Sequence, residues 1–97
     1  MKYAELLDVF TGNVARATGY SPNDYPDWDT LGYAHHRSEL LDHWSQIRSK
    51  IEHDTDKIVF INEKLAEAIA SFDDGKQEPG RKLMFEIYNV LQQKKLR

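Results

Sequence analysis

"IVFINEKLAEAIASFDDGKQEPGRKLMFEIYNVL", residues 58–91, carries an apolar pattern of helical period on each side of a polar break, and this pairing decides the fold class. Ile58, Ile61, Leu65, Ala68, Ile69 and Phe72 recur at spacings of three, four, three, one and three, which places them on one face of a helix. The stretch DDGKQEPG, residues 73–80, ends that helix. Gly75 is suited to a left-handed stop, and Pro79 to the first turn of the next helix, where a missing amide costs nothing. From about Glu78 to Lys95, Leu83, Met84, Ile87, Tyr88 and Leu91 make a second dense apolar face, widened on opposite flanks by Phe85 and Val90. That is more apolar surface than one contact face needs. The surplus predicts either a central place in a bundle or a second interface, with a homodimer as the expected form.

The same period runs upstream. Tyr3, Leu6, Leu7, Phe10, Val14 and Ala17 form the stripe of a first helix, weakened in its middle by Gly12 and Asn13 and expected to stop at Gly19. A second helix is predicted from about Leu31 to His53, with Tyr33, Leu40, Trp44, Ile47 and Ile51 facing the core. The polar break HDTD, residues 53–56, offers Asp54 or Thr55 as the cap of the third helix. No glycine or proline separates the second and third helices, so one continuous rod is an alternative the sequence leaves open.

Between the first two helices lies YSPNDYPDWDT, residues 20–30, with two prolines, three aspartates and three aromatics. Each proline lacks an amide donor and restricts the residue before it, so this is a structured loop and not a helix interior. Asp29 or Thr30 is placed to cap the helix that follows. Tyr20, Tyr25 and Trp28 either seal the end of the core or form an aromatic recognition surface, a role for which tyrosine and tryptophan combine large area with little rotamer entropy. The expected architecture is all-α: one domain over residues 1–97, a small four-helix bundle with an aromatic, proline-rich loop between helices 1 and 2. Leu40, Trp44, Ile47, Ile61, Leu65, Leu83 and Ile87 are expected at its centre.

Composition narrows the function classes. The chain has 97 residues, 40% hydrophobic and 30% charged, which suits one folded domain and neither a disordered nor a membrane protein. The absence of cysteine excludes disulfides, thiolate zinc sites and cysteine nucleophiles together. Glu5 and Asp8 interrupt the apolar residues near the N-terminus, so no signal-peptide core is present, and no run approaches a membrane span; a cytoplasmic protein is expected. A formal charge of -3 gives no electrostatic reason to expect nucleic-acid binding, and KKLR, residues 94–97, reads as a solvated helix end in which Lys94, Lys95 and Arg97 complement the helix dipole.

The segment GYAHHRSELLDHW, residues 32–44, holds three of the four histidines. His36, Leu40, His43 and Ile47 follow spacings of four, three and four, so both histidines border the apolar stripe, with Glu39 beside them and His35 directed elsewhere. A carboxylate three residues from a histidine can ligate zinc, iron or manganese when another helix adds ligands. Glu5, Asp8, Glu63 and Glu67 lie off the centres of their own stripes, and the His-Glu-x-x-His motif is absent, so no metal or other cofactor is expected and the histidines read as residues at the core boundary. No nucleophile elbow, P-loop or EF-hand is present, and Ser38 and Ser45 each stand two residues from a histidine, a spacing that separates them around the helix. The function expected is therefore binding of another protein, as a small non-catalytic adaptor, regulator or inhibitor with Tyr20, Tyr25, Trp28, Phe85 and Val90 as the contact residues. Two alternatives accompany it: a metal-binding helical protein or enzyme using His36, Glu39 and His43, and a helix-turn-helix regulator built from helices 3 and 4. Against the latter, DDGKQEPG is longer than the usual turn of that motif and begins with two acids.

Overall fold

The computed structural model describes residues 2–93 and 96–97, and its elements are four helices: α1 (Tyr3–Tyr20), α2 (Gly32–Arg48), α3 (Thr55–Asp73) and α4 (Gln77–Gln93). In α1 the buried residues Leu6, Leu7, Phe10, Val14 and Ala17 follow the predicted stripe, and Asn13 is buried among them. The helix does not stop at Gly19. It runs to Tyr20 and leaves through Ser21 in an extended conformation, because Ser21 precedes Pro22 and the proline ring disfavours helical backbone at that position.

α3 and α4 form the helical hairpin implied by residues 58–91. The connection is only Asp74–Lys76, with Gly75 at φ +76° supplying the left-handed stop. The helices keep an antiparallel register along their lengths: the Phe72 ring faces Gly80 at one end, Lys64 pairs with Glu86 at 3.6 Å in the middle, and Asp54 meets Arg97 at the other end. They lie side by side, as in a bundle hairpin. The three-residue turn corrects the expectation of a long linker: Gln77 to Gly80 belong to α4, whose first turn accommodates Pro79.

Leu96 and the main chain of Arg97 are tied into the bundle, which corrects the reading of this end as solvated for Leu96, while the Arg97 residue is exposed. Leu96 is buried, its carbonyl accepts the Tyr3 hydroxyl at 2.9 Å, and the Arg97 main-chain oxygen accepts the amides of His53 and Asp54 at 2.7 and 2.8 Å. Asp54 Oδ2 in turn accepts the Arg97 amide at 2.9 Å instead of making a side-chain cap on α3. α2 ends at Arg48, five residues before the expected His53: the amides of Lys50 and Ile51 turn back to the carbonyls of Ile47 and Arg48, those of His53 and Asp54 go to Arg97, and Ile51 is buried from the linker. Lys94 and Lys95, assigned above to the helix dipole, lie outside the described residues.

α4 packs against both α1 and α3, which accounts for the width of its apolar surface. Its buried line is Gly80, Met84 and Ile87, with Leu83 only half-buried on the flank, so Met84 takes the central place expected of Leu83. α2 lies against α1 and is tied to α3 mainly by long side chains. The Tyr33 hydroxyl donates to Asp73 at 2.7 Å, and Trp44 Nε1 donates to Asn62 at 2.6 Å. Burial first, then the adjacent Asp73 carboxylate, pushes the Tyr33 phenol well above its ordinary value, so it remains a donor. No helix among the described residues is long and apolar enough to cross a membrane.

Gly80 gives a test of the hairpin. A β-carbon there would sit 2.4 Å from the Phe72 ring, which is buried and meets Tyr33 edge-on at a centroid distance of 6.0 Å. Alanine in a helix is favoured over glycine by about 1 kcal/mol, whereas overpacking a core costs about 1–3 kcal/mol. Overpacking is expected to win, so Gly80→Ala should lower the urea midpoint and Gly80→Val should lower it further. A raised midpoint for alanine would mean that the Phe72 ring yields.

Candidate functional site

The polar residues that the sequence scatters over α1, the loop and α2 converge at one end of the bundle. Asn13 occupies a core position of α1, and each of its polar groups toward α2 is used. Its side-chain amide donates to His43 Nδ1 at 3.2 Å and to Glu39 at 3.4 Å, and its main-chain carbonyl accepts His36 Nε2 at 2.9 Å. A carbonyl can only accept, so Nε2 carries the proton of His36 and Nδ1 is an acceptor. The Tyr25 hydroxyl, 2.7 Å away, fills Nδ1 and stands 2.7 Å from the Ser21 hydroxyl, which completes a chain from the loop to the middle of α1.

His36 is consequently no boundary residue. It is 2% exposed, because both ring nitrogens have protein partners and the ring can enter the core without losing hydrogen bonds. Burial holds its pKa below the ordinary histidine value, opposed by the bond to Asn13. His36, Glu39 and His43 all approach Asn13, but the nitrogens of His36 are already engaged, and among the described residues no group of three histidine or carboxylate side chains is arranged to hold a metal ion. His35 also departs from expectation. It does not point elsewhere: its Nε2 lies 2.5 Å from Glu39, four residues on, a spacing that makes neighbours on a helix surface.

Above this network the loop is braced from both sides. Arg16 Nη2 binds Asp29 at 2.8 Å and Arg16 Nη1 binds the Asn13 side-chain oxygen at 3.3 Å. Asp29 Oδ1 accepts the amides of Leu31 and Gly32, both at 3.2 Å, so the aspartate predicted as a cap receives the first amides of α2 from a position upstream of the formal cap residue, Leu31. These amides, that of Gly32 foremost, hold the Asp29 carboxyl below its usual range, with Arg16 adding to the effect. On the α4 side, Arg81 donates to the Ser21 carbonyl at 2.8 Å and to Asp24 at 2.7 Å.

The braced loop walls a cleft of about 470 Å³ whose lining includes Arg16, Trp28, Leu31, His35 and Glu39. Of the three loop aromatics, Tyr20 and Tyr25 are half-buried and tilt against each other at 6.0 Å, on the inner side of the loop. Trp28 is 73% exposed and Leu31 is 64% exposed. On α4, Phe85 is 55% exposed and stacked on Tyr88, while Val90 is half-buried against the core. Of the five residues expected to contact a partner, Trp28 stands exposed at the cleft and Phe85 exposed on α4, while Tyr20, Tyr25 and Val90 are half-buried. Asn13, Arg16 and Leu31 were missed by sequence reasoning. A signal existed for Asn13, since Leu6, Phe10, Asn13 and Ala17 follow spacings of four, three and four, which puts a polar residue in an apolar stripe. The chain matches no family model, no curated protein and no solved structure.

Proposed function

We propose that this chain is a small, non-catalytic protein-binding module, an adaptor, regulator or inhibitor of a larger intracellular protein, and that it docks through the edge formed by Trp28 and Leu31. The observation that carries this reading is a tryptophan 73% exposed on a loop held by side chains of α1 and α4. An isolated domain gains by burying such a ring, and here the bracing prevents the loop from folding it inward. Preorganised aromatic anchors of this kind dominate binding energies at protein interfaces. The polar groups beneath the loop are spent on one another, which supports a positioning role for them over a catalytic one. Phe85 provides a second, smaller apolar face suited to self-association.

The test compares wild type with Trp28→Ala in capture of a partner from extract of the native host. Because the indole is mostly in solvent, the substitution should change stability by less than about 0.5 kcal/mol. Loss of a hot-spot contact of about 2 kcal/mol or more should weaken binding by about thirtyfold. A captured partner held equally well by both proteins would remove this edge from the interface.

A further inference from the structure

The cleft beside Trp28 has an uneven charge. Counting histidines as neutral, its lining holds one cation, Arg16, against two carboxylates, Asp29 and Glu39. Arg16 is already bound to Asp29, which leaves Glu39 in excess, supported by donors from Asn13 and His35 and with its side chain about one-third exposed. Of the three loop aspartates, Asp24 pairs with Arg81 and Asp29 with Arg16, while Asp27, next to Trp28 in the chain, is exposed and has no ion pair among the described residues.

We propose that this cleft receives an arginine side chain of the partner protein, its guanidinium lying on the exposed face of Trp28 with its N–H groups directed to Glu39. This names the chemistry of the partner at the site and rests on the protein-binding reading above. Guanidinium fits the arrangement better than ammonium because it is planar, stacks on aromatic rings, sheds water more easily and presents several donors to one carboxylate. An acidic side chain lacks a counterpart here. The charge of Arg16 is already matched by Asp29, one N–H of its other terminal nitrogen goes to Asn13, and its Nε is buried with no hydrogen-bond partner, out of reach of a ligand arriving from solvent. The volume is within the range of about 300–1,000 Å³ typical of sites that bury small groups.

The experiment is an NMR titration of the isotope-labelled full chain with three capped alanine-based hexapeptides that differ at one central position: arginine, glutamate or leucine. The arginine peptide should shift the Trp28 indole and the amides around Glu39 saturably, with millimolar affinity. The shifts should fall several-fold at raised salt and in Glu39→Gln, fall more modestly in Asp27→Asn, which lies outside the packed interior, and vanish in Trp28→Ala. Equal or stronger shifts by the leucine or glutamate peptide would overturn the proposal, as would silence toward the arginine peptide. Such a failure is separable from failure of the functional reading: capture of a partner dependent on Trp28, without an arginine at the contact, keeps the module a protein binder and removes the arginine.

Discussion

Phe10→Ala is expected to cost about 3–5 kcal/mol, the range for truncating a large aromatic in a close-packed core. Phe10 is fully buried in α1, and its ring stacks on Trp44 of α2 at a centroid distance of 5.6 Å and an interplanar angle of 24°. Deleting it would remove apolar area from the α1–α2 contact and leave Trp44 facing a void. α2 has few other ways to compensate, because its connection to α3 is made largely by side-chain tips. Domains have total stabilities of about 5–15 kcal/mol, so the variant should be close to unfolding at room temperature. With about 4–8 °C of melting temperature per kcal/mol for a domain of this size, a fall of at least about 12 °C is the expected calorimetric result. A fall of only a few degrees would contradict the placement of α1 against α2.

His36→Ala should have an effect of similar size for a different reason. It removes a buried ring together with one of the two partners of the Tyr25 hydroxyl, which keeps Ser21, and one partner of the Asn13 main-chain carbonyl. Two hydrogen bonds of about 1 kcal/mol each are lost, and with the cavity left by the buried ring the total should be about 3–5 kcal/mol. The folded state holds His36 at a lowered pKa, chiefly by burial, so the unfolded chain binds the proton first as pH falls. The resulting stability is fully present above the unfolded histidine value of about 6.5 and declines as pH drops from there toward the folded pKa. Asp29 and Asp73, whose carboxyl values are lowered by hydrogen bonds from Gly32 and Tyr33 respectively, act in the same direction, but only below about pH 4. Urea midpoints of the wild type should therefore decline between about pH 7 and pH 5, and His36→Gln, which cannot titrate, should show a shallower decline. An unchanged slope in the glutamine variant would assign the pH dependence to other groups.

Much of the fold was legible because helix formation is announced by a local period. The stripes of α1 and α3 correspond to their buried residues, and Gly75 has the left-handed backbone expected of it. The candidate site was legible only in part. His36 and His43 were placed on the correct side of α2, but the histidine that pairs with Glu39 is His35, and the residue that joins the group is Asn13, read from sequence only as a weak point in α1. Trp28 stood out by residue type. That it faces water while Tyr25 faces the core depends on Arg16 and Arg81 gripping opposite parts of the loop, from 13 and 57 residues away.

By itself, the sequence determined that the chain is helical, which face of each helix is apolar, and that a proline-rich loop follows the first helix; each property is set by neighbours within a turn or two of chain. Tertiary structure decided what depends on distant partners. The α2–α3 boundary carries no glycine or proline to mark it, and the linker there is held from a distance, by the Arg97 main-chain oxygen that takes the amides of His53 and Asp54. Met84 outranks Leu83 in burial because α4 lies between α1 and α3, and a single step around a helix, about 100°, is enough to exchange centre for flank. His36 enters the core because Asn13 and Tyr25, 23 and 11 residues away, satisfy its two nitrogens. A buried polar group is tolerated only where its partners are, and the partners are found by the folded chain, not by any local stretch of it.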